Sequence, residues 1–486
     1  MKTFDIIIAG GGASGLSLAS HLARSTLCNR RVLIVDEDAK DQLREILMQS
    51  RERELSAACA SHREPHLSYP ALDIVEVRRR IENFLQLDAE ISESELNVVV
   101  RQLYHGAIED EVCFLGLIEA TYEGNDERFW ELTQRLYPPP TGAEMEYALE
   151  QVRQVLLQGL KQPEIKVASV HEQGRQQARQ EACQQVIEIL RDQFQLSIDL
   201  TGEPNGDFGG VFSPPSDVPK ISAQGAKRFF EAVLESLGYA GWQVLLDPNV
   251  AGPRVEAGLR HVFLPAEPIP LDELREYVSH ELAGHVARSI AGESSMLGLL
   301  GMATKGYMVT EEGIADYYER QAAALHGDPV DDSGIWLGTL AVGLACGRAG
   351  STQTFSTLLA FFEPFLLLYR LLWRNDEDRQ TAERRAQRNA FTRCLRTFRG
   401  VPNLSRAGIC NTRDVVYLRG RWLIDQAVAQ DETMLDRLAV GKVAYELLPE
   451  LDKLGITAST PSFRMLVLDP ELDEYILSFE SEDADT

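Results

Sequence analysis

Residues 4–9, Phe-Asp-Ile-Ile-Ile-Ala, form an apolar run of strand length. A glycine-rich turn follows at 10–15, then helical spacing over 15–25 and a second apolar run from Arg31 to Asp36. Together these predict one βαβ unit. The pattern then changes. Residues 39–60 are charged and helix-forming, and a helical period dominates to about Leu196. It predicts helices over Val75–Leu87, Glu93–His105, Glu127–Tyr137, Glu144–Leu160 and Glu172–Phe194, broken at Pro138-Pro139-Pro140 and near Pro163. Ser197 to Pro219 is dense in Gly and Pro, which sustain neither a helix nor a central strand. Beyond it the pattern predicts a helix at Ala223–Leu237 and strands at Trp242–Leu246 and Val255–Leu264. Helices follow at Leu271–Ala291 and Thr310–Leu325, with more to about Arg399. Val415–Leu418 and Arg464–Leu468 read as strands. The expected fold class is α+β, mostly helical with a small sheet, preceded by a truncated Rossmann-like βαβ unit. The expected divisions are 1–38 for that unit, 39–200 for a helical part, 201–478 for the part carrying the chemistry, and an acidic tail at 479–486.

Two apolar stretches resemble membrane spans. Ile335–Ala345 is too short, and Glu363 and Pro364 interrupt Phe355–Trp373, so both are expected as buried helices. The 486 residues include 44% hydrophobic and 25% charged positions, ordinary for a folded chain, and the formal charge of −26 disfavours nucleic acid and anionic membrane as partners. Seven scattered cysteines without a CxxC fit free thiols in a reducing compartment. The N-terminus lacks a basic start and a long apolar stretch. The expected location is cytoplasmic.

The strongest chemical signal is His280-Glu281-Leu282-Ala283-Gly284-His285. In the common zinc helix two histidines four apart lie about 40° from each other around the axis. Five apart, they diverge by about 140° on a regular helix and cannot grip one ion. A π-bulge restores a shared face, and Gly284 is the residue most tolerant of it. The motif therefore predicts a bulged helix. A catalytic zinc takes three protein ligands and keeps one position for water. Thr310-Glu311-Glu312-Gly313-Ile314-Ala315-Asp316 supplies candidates for the third, with Thr310 as the expected cap of its helix. The assignment is His280, His285 and Glu312 as ligands to one zinc ion per chain, with Glu281 as general base. Glu311 or Asp316 is expected to orient a ligand imidazole.

These residues resemble the tyrosine/phenylalanine carboxypeptidase domain, found in bacterial proteins named for a QEGLA motif and in microtubule-associated tyrosine carboxypeptidases. The first motif is His280-Glu281-Leu282-Ala283-Gly284-His285, and the second is Glu311-Glu312-Gly313-Ile314-Ala315, with Glu311 where the family has Gln. Arg260-His261-Val262-Phe263-Leu264-Pro265 fits the segment before the motif helix. Thr412-Arg413-Asp414-Val415-Val416-Tyr417-Leu418-Arg419-Gly420 fits a late T-K-D-x-x-Y-L-x-G pattern. The likeness covers roughly residues 40–470. The H-E-x-x-G-H spacing also resembles dipeptidyl peptidase III. The resemblance implies a zinc metallopeptidase that removes a C-terminal Tyr or Phe from a peptide or protein, with the ligand and base roles already assigned. Such an enzyme needs a cation for the terminal carboxylate. Arg413 is the candidate, and Tyr417 the candidate hydrogen-bond donor to the oxyanion. The charge of −26 suits an acidic tubulin tail poorly, so microtubules are not carried over as partner.

Gly10-Gly11-Gly12-Ala13-Ser14-Gly15 is a G-x-G-x-x-G, and Asp36 ends the next strand. Gly10, Gly12, Gly15 and Asp36 match a dinucleotide fingerprint, and the segment resembles the N-terminus of flavin-dependent lycopene cyclases. The likeness stops at about residue 38. No further alternating βα units follow to build the crevice, so the expectation is a remnant without bound FAD. A flavoprotein and a non-catalytic zinc-binding regulator are the alternative readings.

Overall fold

The computed structural model describes residues 73–161, 170–204, 218–327, 332–373, 378–458 and 471–480, apart from a few single positions. It also describes strands Ile6–Ala9 and Val32–Val35 and isolated positions at 57–59, 61, 65 and 469. The protein is mostly helical with small sheets. Strands β1 (Ile6–Ala9) and β2 (Val32–Val35) pair in parallel as a two-stranded sheet, with Ile6 opposite Val32. The glycine turn, Asp36, most of 39–60 and the expected strand Arg464–Leu468 lie outside the described residues.

The N-terminal helices begin where polar caps stand. Asp73 accepts from the backbone N–H groups of Val75 and Glu76 and starts α1 (Ile74–Glu93). Asn97 does the same for Val99 and starts α2 (Val98–Glu123). This cap corrects the expected continuous helix over Glu93–His105: the chain breaks at 94–97. Helix α3 (Asp126–Leu136) and α4 (Gly142–Leu160) flank the three prolines, and Thr141 and Glu144 form a reciprocal capping box. Helix α5 (Val170–Glu188) runs into a π turn at Ile189–Gln193.

Short strand β3 (Lys220–Ile221) pairs with β7 (Ile269–Pro270), and α6 (Ala223–Ser236) leads to a three-stranded sheet. Its centre is β6 (His261–Pro265), parallel to β4 (Gln243–Asp247) and antiparallel to β5 (Arg254–Glu256). The single strand expected over Val255–Leu264 is thus a hairpin. Leu259 and Arg260 close its turn on the carbonyls of Glu256 and Ala257, with Arg260 at φ 55°. Leu271–Tyr277 (α7) follows, continuing through the π segment Val278–Val286 into α8 (Ala287–Ser294). The remaining elements are α9 (Leu299–Met302), α10 (Tyr307–His326), α11 (Ser333–Ala345), α12 (Phe355–Trp373), α13 (Arg379–Thr397), α14 (Val416–Gln430), α15 (Met434–Leu438), α16 (Leu448–Lys453) and α17 (Leu472–Ser478).

Two hydrophobic cores organise these elements. The first wraps the three-stranded sheet and the π segment, joining Phe229, Val262, Leu282, Ile314 and Ile424. The second is all helical, joining Leu117, Leu132, Val152 and Leu340 around the phenylalanines of α12. Helices from both sides of residue 200 contribute to each core. Among the described residues, Phe355–Trp373 is long and apolar enough to cross a membrane by length and composition. Phe355, Phe361, Phe362 and Phe365 of that helix are fully buried in the second core. The described cysteines form no disulfide.

Val415–Leu418 is not a strand. Arg413–Val415 forms a 3-10 turn and Val416 opens α14. Packing overrides the β-branched run. A Cβ at Gly313 would lie 2.3 Å from the carbonyl oxygen of Gly420, and one at Gly420 2.3 Å from that of Val309. This glycine pair seats α14 directly on α10.

Candidate metal centre

The histidines sit in the π segment Val278–Val286, as the five-residue spacing requires. Their rings face each other at 5.1 Å between centroids. Gly284 does more than tolerate the bulge. A Cβ there would fall 2.6 Å from the Cβ of Ala315 on α10. Its absence lets α10 approach closely and carries Glu312, three residues before Ala315, to the histidines. One donor atom each from His280, His285 and Glu312 lies within 4.8 Å of the others, and His280 Nε2 stands 3.8 Å from Glu312 Oε2.

Each imidazole is held from behind by a carboxylate. Glu311 Oε1 lies 3.0 Å from His285 Nδ1, and Glu319 Oε2 lies 3.2 Å from His280 Nδ1. Both Nε2 atoms are thereby left for the centre, the arrangement that fixes ring orientation in metal sites. Glu311 is anchored in turn by Arg288, whose Nη1 donates at 2.5 Å while Nη2 donates to the carbonyl of Val443. Burial pushes the Glu311 carboxyl up, but Arg288 and His285 bring it down to about 2. Burial lowers the His280 imidazole, yet Glu319, Glu281 and Glu312 together hold it up at about 10. His285 is likewise raised against its burial by Glu311, Glu312 and Glu281. Glu281 is 8% exposed, and its carboxylate makes no hydrogen bond or ion pair among the described residues. The donor set of two imidazoles and one carboxylate suits zinc and leaves one of four positions for water.

Of the two expected orienting residues, Glu311 contacts the His285 imidazole and Asp316 contacts neither histidine. Asp316 accepts from Arg421 at 2.6 and 2.9 Å and from Arg320 at 3.0 Å, pinning α10 to α14. Thr310 does not cap α10. Gly306 stands at the cap with φ 71°, and Thr310 is buried one turn inside, its hydroxyl accepting from the N–H of Tyr445. Glu319 was missed, although it stands seven residues after Glu312, two turns along the same helical face. Arg288, equally unanticipated, follows His285 by three.

The charge of Glu312 also reaches the 3-10 turn and the start of α14. Glu312's charge and burial raise the Tyr417 phenol, and the Tyr417 hydroxyl accepts from Arg396 Nη2 at 3.1 Å. Arg413 is held above its usual value against its burial by Tyr417, Tyr137 and Glu312. Its Nε is buried without a hydrogen-bond partner among the described residues. Gly10, Gly12, Gly15 and Asp36 lie outside the described residues. No family profile matches the chain, and no curated protein matches it significantly. The chemistry of this chain rests on its own geometry, a candidate metal centre built by the π segment and α10.

Proposed function

We propose that this protein is a zinc-dependent carboxypeptidase that hydrolyses the C-terminal peptide bond of peptides or proteins, releasing Tyr or Phe. The observation that carries the reading is the convergence of His280, His285 and Glu312 beside an unpaired, nearly buried Glu281. A bound zinc ion would supply Lewis acidity, lowering the pKa of a water to about 7 and polarising the scissile carbonyl. Glu281 takes the proton of the attacking water and delivers it to the leaving amine. Glu311 and Glu319 keep the imidazoles aimed. The Tyr417 oxygen accepts from Arg396, which leaves its own proton for the developing oxyanion. Arg413 offers the substrate's terminal carboxylate a guanidinium with an orphaned donor. Edge strand β5 runs beside the π segment and offers backbone groups to an extended peptide.

The test uses wild type and Glu281→Gln. Zinc is quantified in both, and peptides differing in the last residue are followed by mass spectrometry. The reading expects about one zinc per chain in each protein and loss of terminal Tyr or Phe with wild type alone. Zinc in both without trimming by either removes the catalytic part of the proposal and leaves a non-catalytic zinc protein.

A further inference from the structure

The chain is strongly acidic overall, yet residues 379–413 hold nine arginines, no lysine and Glu383 as their one acid. Two of these arginines line a cavity of about 240 Å³ where α11, α12 and α13 meet. Asn389, Arg393 and Arg396 stand at i, i+4 and i+7 of α13 and so share one face. Thr392 adjoins them, Arg370 and Ser333 add polar groups from α12 and α11, and Leu337, Leu366 and Tyr369 form an apolar side. The guanidiniums of Arg393 and Arg396 share a single counter-ion. Asp414 accepts from Arg393 Nη1 at 3.2 Å, from Arg396 Nε at 2.9 Å and from Arg396 Nη2 at 3.2 Å. One carboxylate between two guanidiniums leaves a positive charge over, and the Arg393 side chain is only 14% exposed. Burial, aided by the charge of Arg396, lowers Arg393 from its usual value. A partly buried positive surplus beside a cavity is a cost that a bound anion relieves.

We propose that this cavity binds a small tetrahedral oxyanion of the phosphate class, held by Arg393 and Arg396, with Arg370, Asn389 and Thr392 around it. Guanidinium forks match such an anion in charge and in donor geometry. The volume lies below the ~300–1,000 Å³ of ordinary small-molecule sites, which suits an oxyanion group better than a whole nucleotide. Arg396 also donates to the Tyr417 hydroxyl. The site stands independently of the peptidase reading.

The experiment is thermal denaturation of the full chain in rising sodium phosphate, with sodium chloride holding ionic strength constant. Wild type is expected to show a saturable rise in melting temperature. Thr392→Glu, a substitution at an exposed position, places a carboxylate facing the arginines. It is expected to raise the melting temperature without phosphate and to abolish the phosphate response, a gain that a misfolded variant does not produce. Arg370→Gln is expected to weaken apparent phosphate affinity about tenfold or more, the loss of one charge-assisted contact. Glycerol 3-phosphate in parallel separates the sources: tighter binding than phosphate assigns a phosphate monoester, weaker binding the free ion. A response equal to that of chloride alone overturns the proposal. So does a wild-type response in Thr392→Glu, which is what phosphate captured at the metal centre produces.

Discussion

Replacing Gly284 by Ala tests whether helix approach, rather than mere flexibility, builds the metal centre. The added Cβ would fall 2.6 Å from Ala315 Cβ and 3.0 Å from Ala315 Cα. Relaxed carbon–carbon contacts lie at about 3.5–4.0 Å, so the π segment and α10 must part by about 1 Å. Overpacking of this kind costs about 1–3 kcal/mol. It is opposed by the ~1 kcal/mol that Ala gains over Gly in a helix interior. Overall stability therefore changes little or falls by up to about 2 kcal/mol, while the metal affinity carries the diagnosis. Glu312 rides on α10, and a metal site tolerates ligand displacements of only about 0.2 Å. Zinc affinity is expected to fall by more than about tenfold, the lower end of losses seen when an orienting partner is removed. Competition against a chromogenic chelator at neutral pH measures it. Ala315→Gly in the same chain removes the nearer of the two clashes and should restore part of the affinity, a coupling that a double-mutant cycle isolates. The opposite result, a Gly284→Ala protein that is more stable and binds zinc like wild type, would mean that the glycine serves only the helix's own bend.

Three further outcomes are expected. Glu319→Ala frees the back of His280 and should weaken zinc binding about 10–100-fold without altering the stoichiometry, as read by the same competition; unchanged affinity removes Glu319 from the site. Asp316→Ala strips Arg421 and Arg320 of a shared, buried partner and should destabilise the fold by about 3–5 kcal/mol in chemical denaturation while zinc still binds; lost zinc with intact stability would return Asp316 to the metal shell. If Arg413 holds the terminal carboxylate, wild type should prefer a free C-terminus to its amide, and Arg413→Gln should lose that preference chiefly through KM; a preference that survives the substitution assigns the carboxylate to another cation.

The centre was legible in the sequence because its chemistry is written in a short window. The five-residue spacing of His280 and His285 is incompatible with a regular helix, so a bulge followed from geometry alone, and the π segment is present. Glu312 and Glu311 were readable from a single cluster for the same reason. What was not legible depends on contacts between distant segments. The Val415–Leu418 run has strand-like composition, but Gly313 and Gly420 dock α14 on α10, and neither glycine announces its partner. Asp316 belongs to the same acidic cluster as Glu311, and the sequence alone does not separate the two. Its assignment was decided by Arg421, more than a hundred residues away. Glu319 failed differently, since its position two turns after Glu312 was available and only the facing imidazole was not.

The charges around the centre make a last prediction about protons. With Glu311 matched by Arg288, Glu281, Glu312 and Glu319 act on the two imidazoles. Neutral imidazoles leave that group at three negative charges, whereas two imidazoliums reduce it to one. A divalent cation with neutral imidazoles reaches the same value. Protons and a divalent cation are therefore alternative occupants, and Glu319, Glu281 and Glu312 hold the His280 imidazole at about 10. The sign follows. A raised histidine contributes stability that is present in full below its ordinary value near 6.5 and disappears as pH rises through about 10. Zinc requires the unprotonated ring, so its uptake at pH 7 is expected to release a proton from His280. Apparent zinc affinity should climb about tenfold per pH unit for each proton displaced until His280 titrates. Calorimetry of zinc binding to chelator-stripped protein, in two buffers of different ionisation enthalpy, counts the protons directly. A heat of binding independent of buffer would show that both imidazoles are already neutral, and the carboxylates would then have to be protonated or turned away from them.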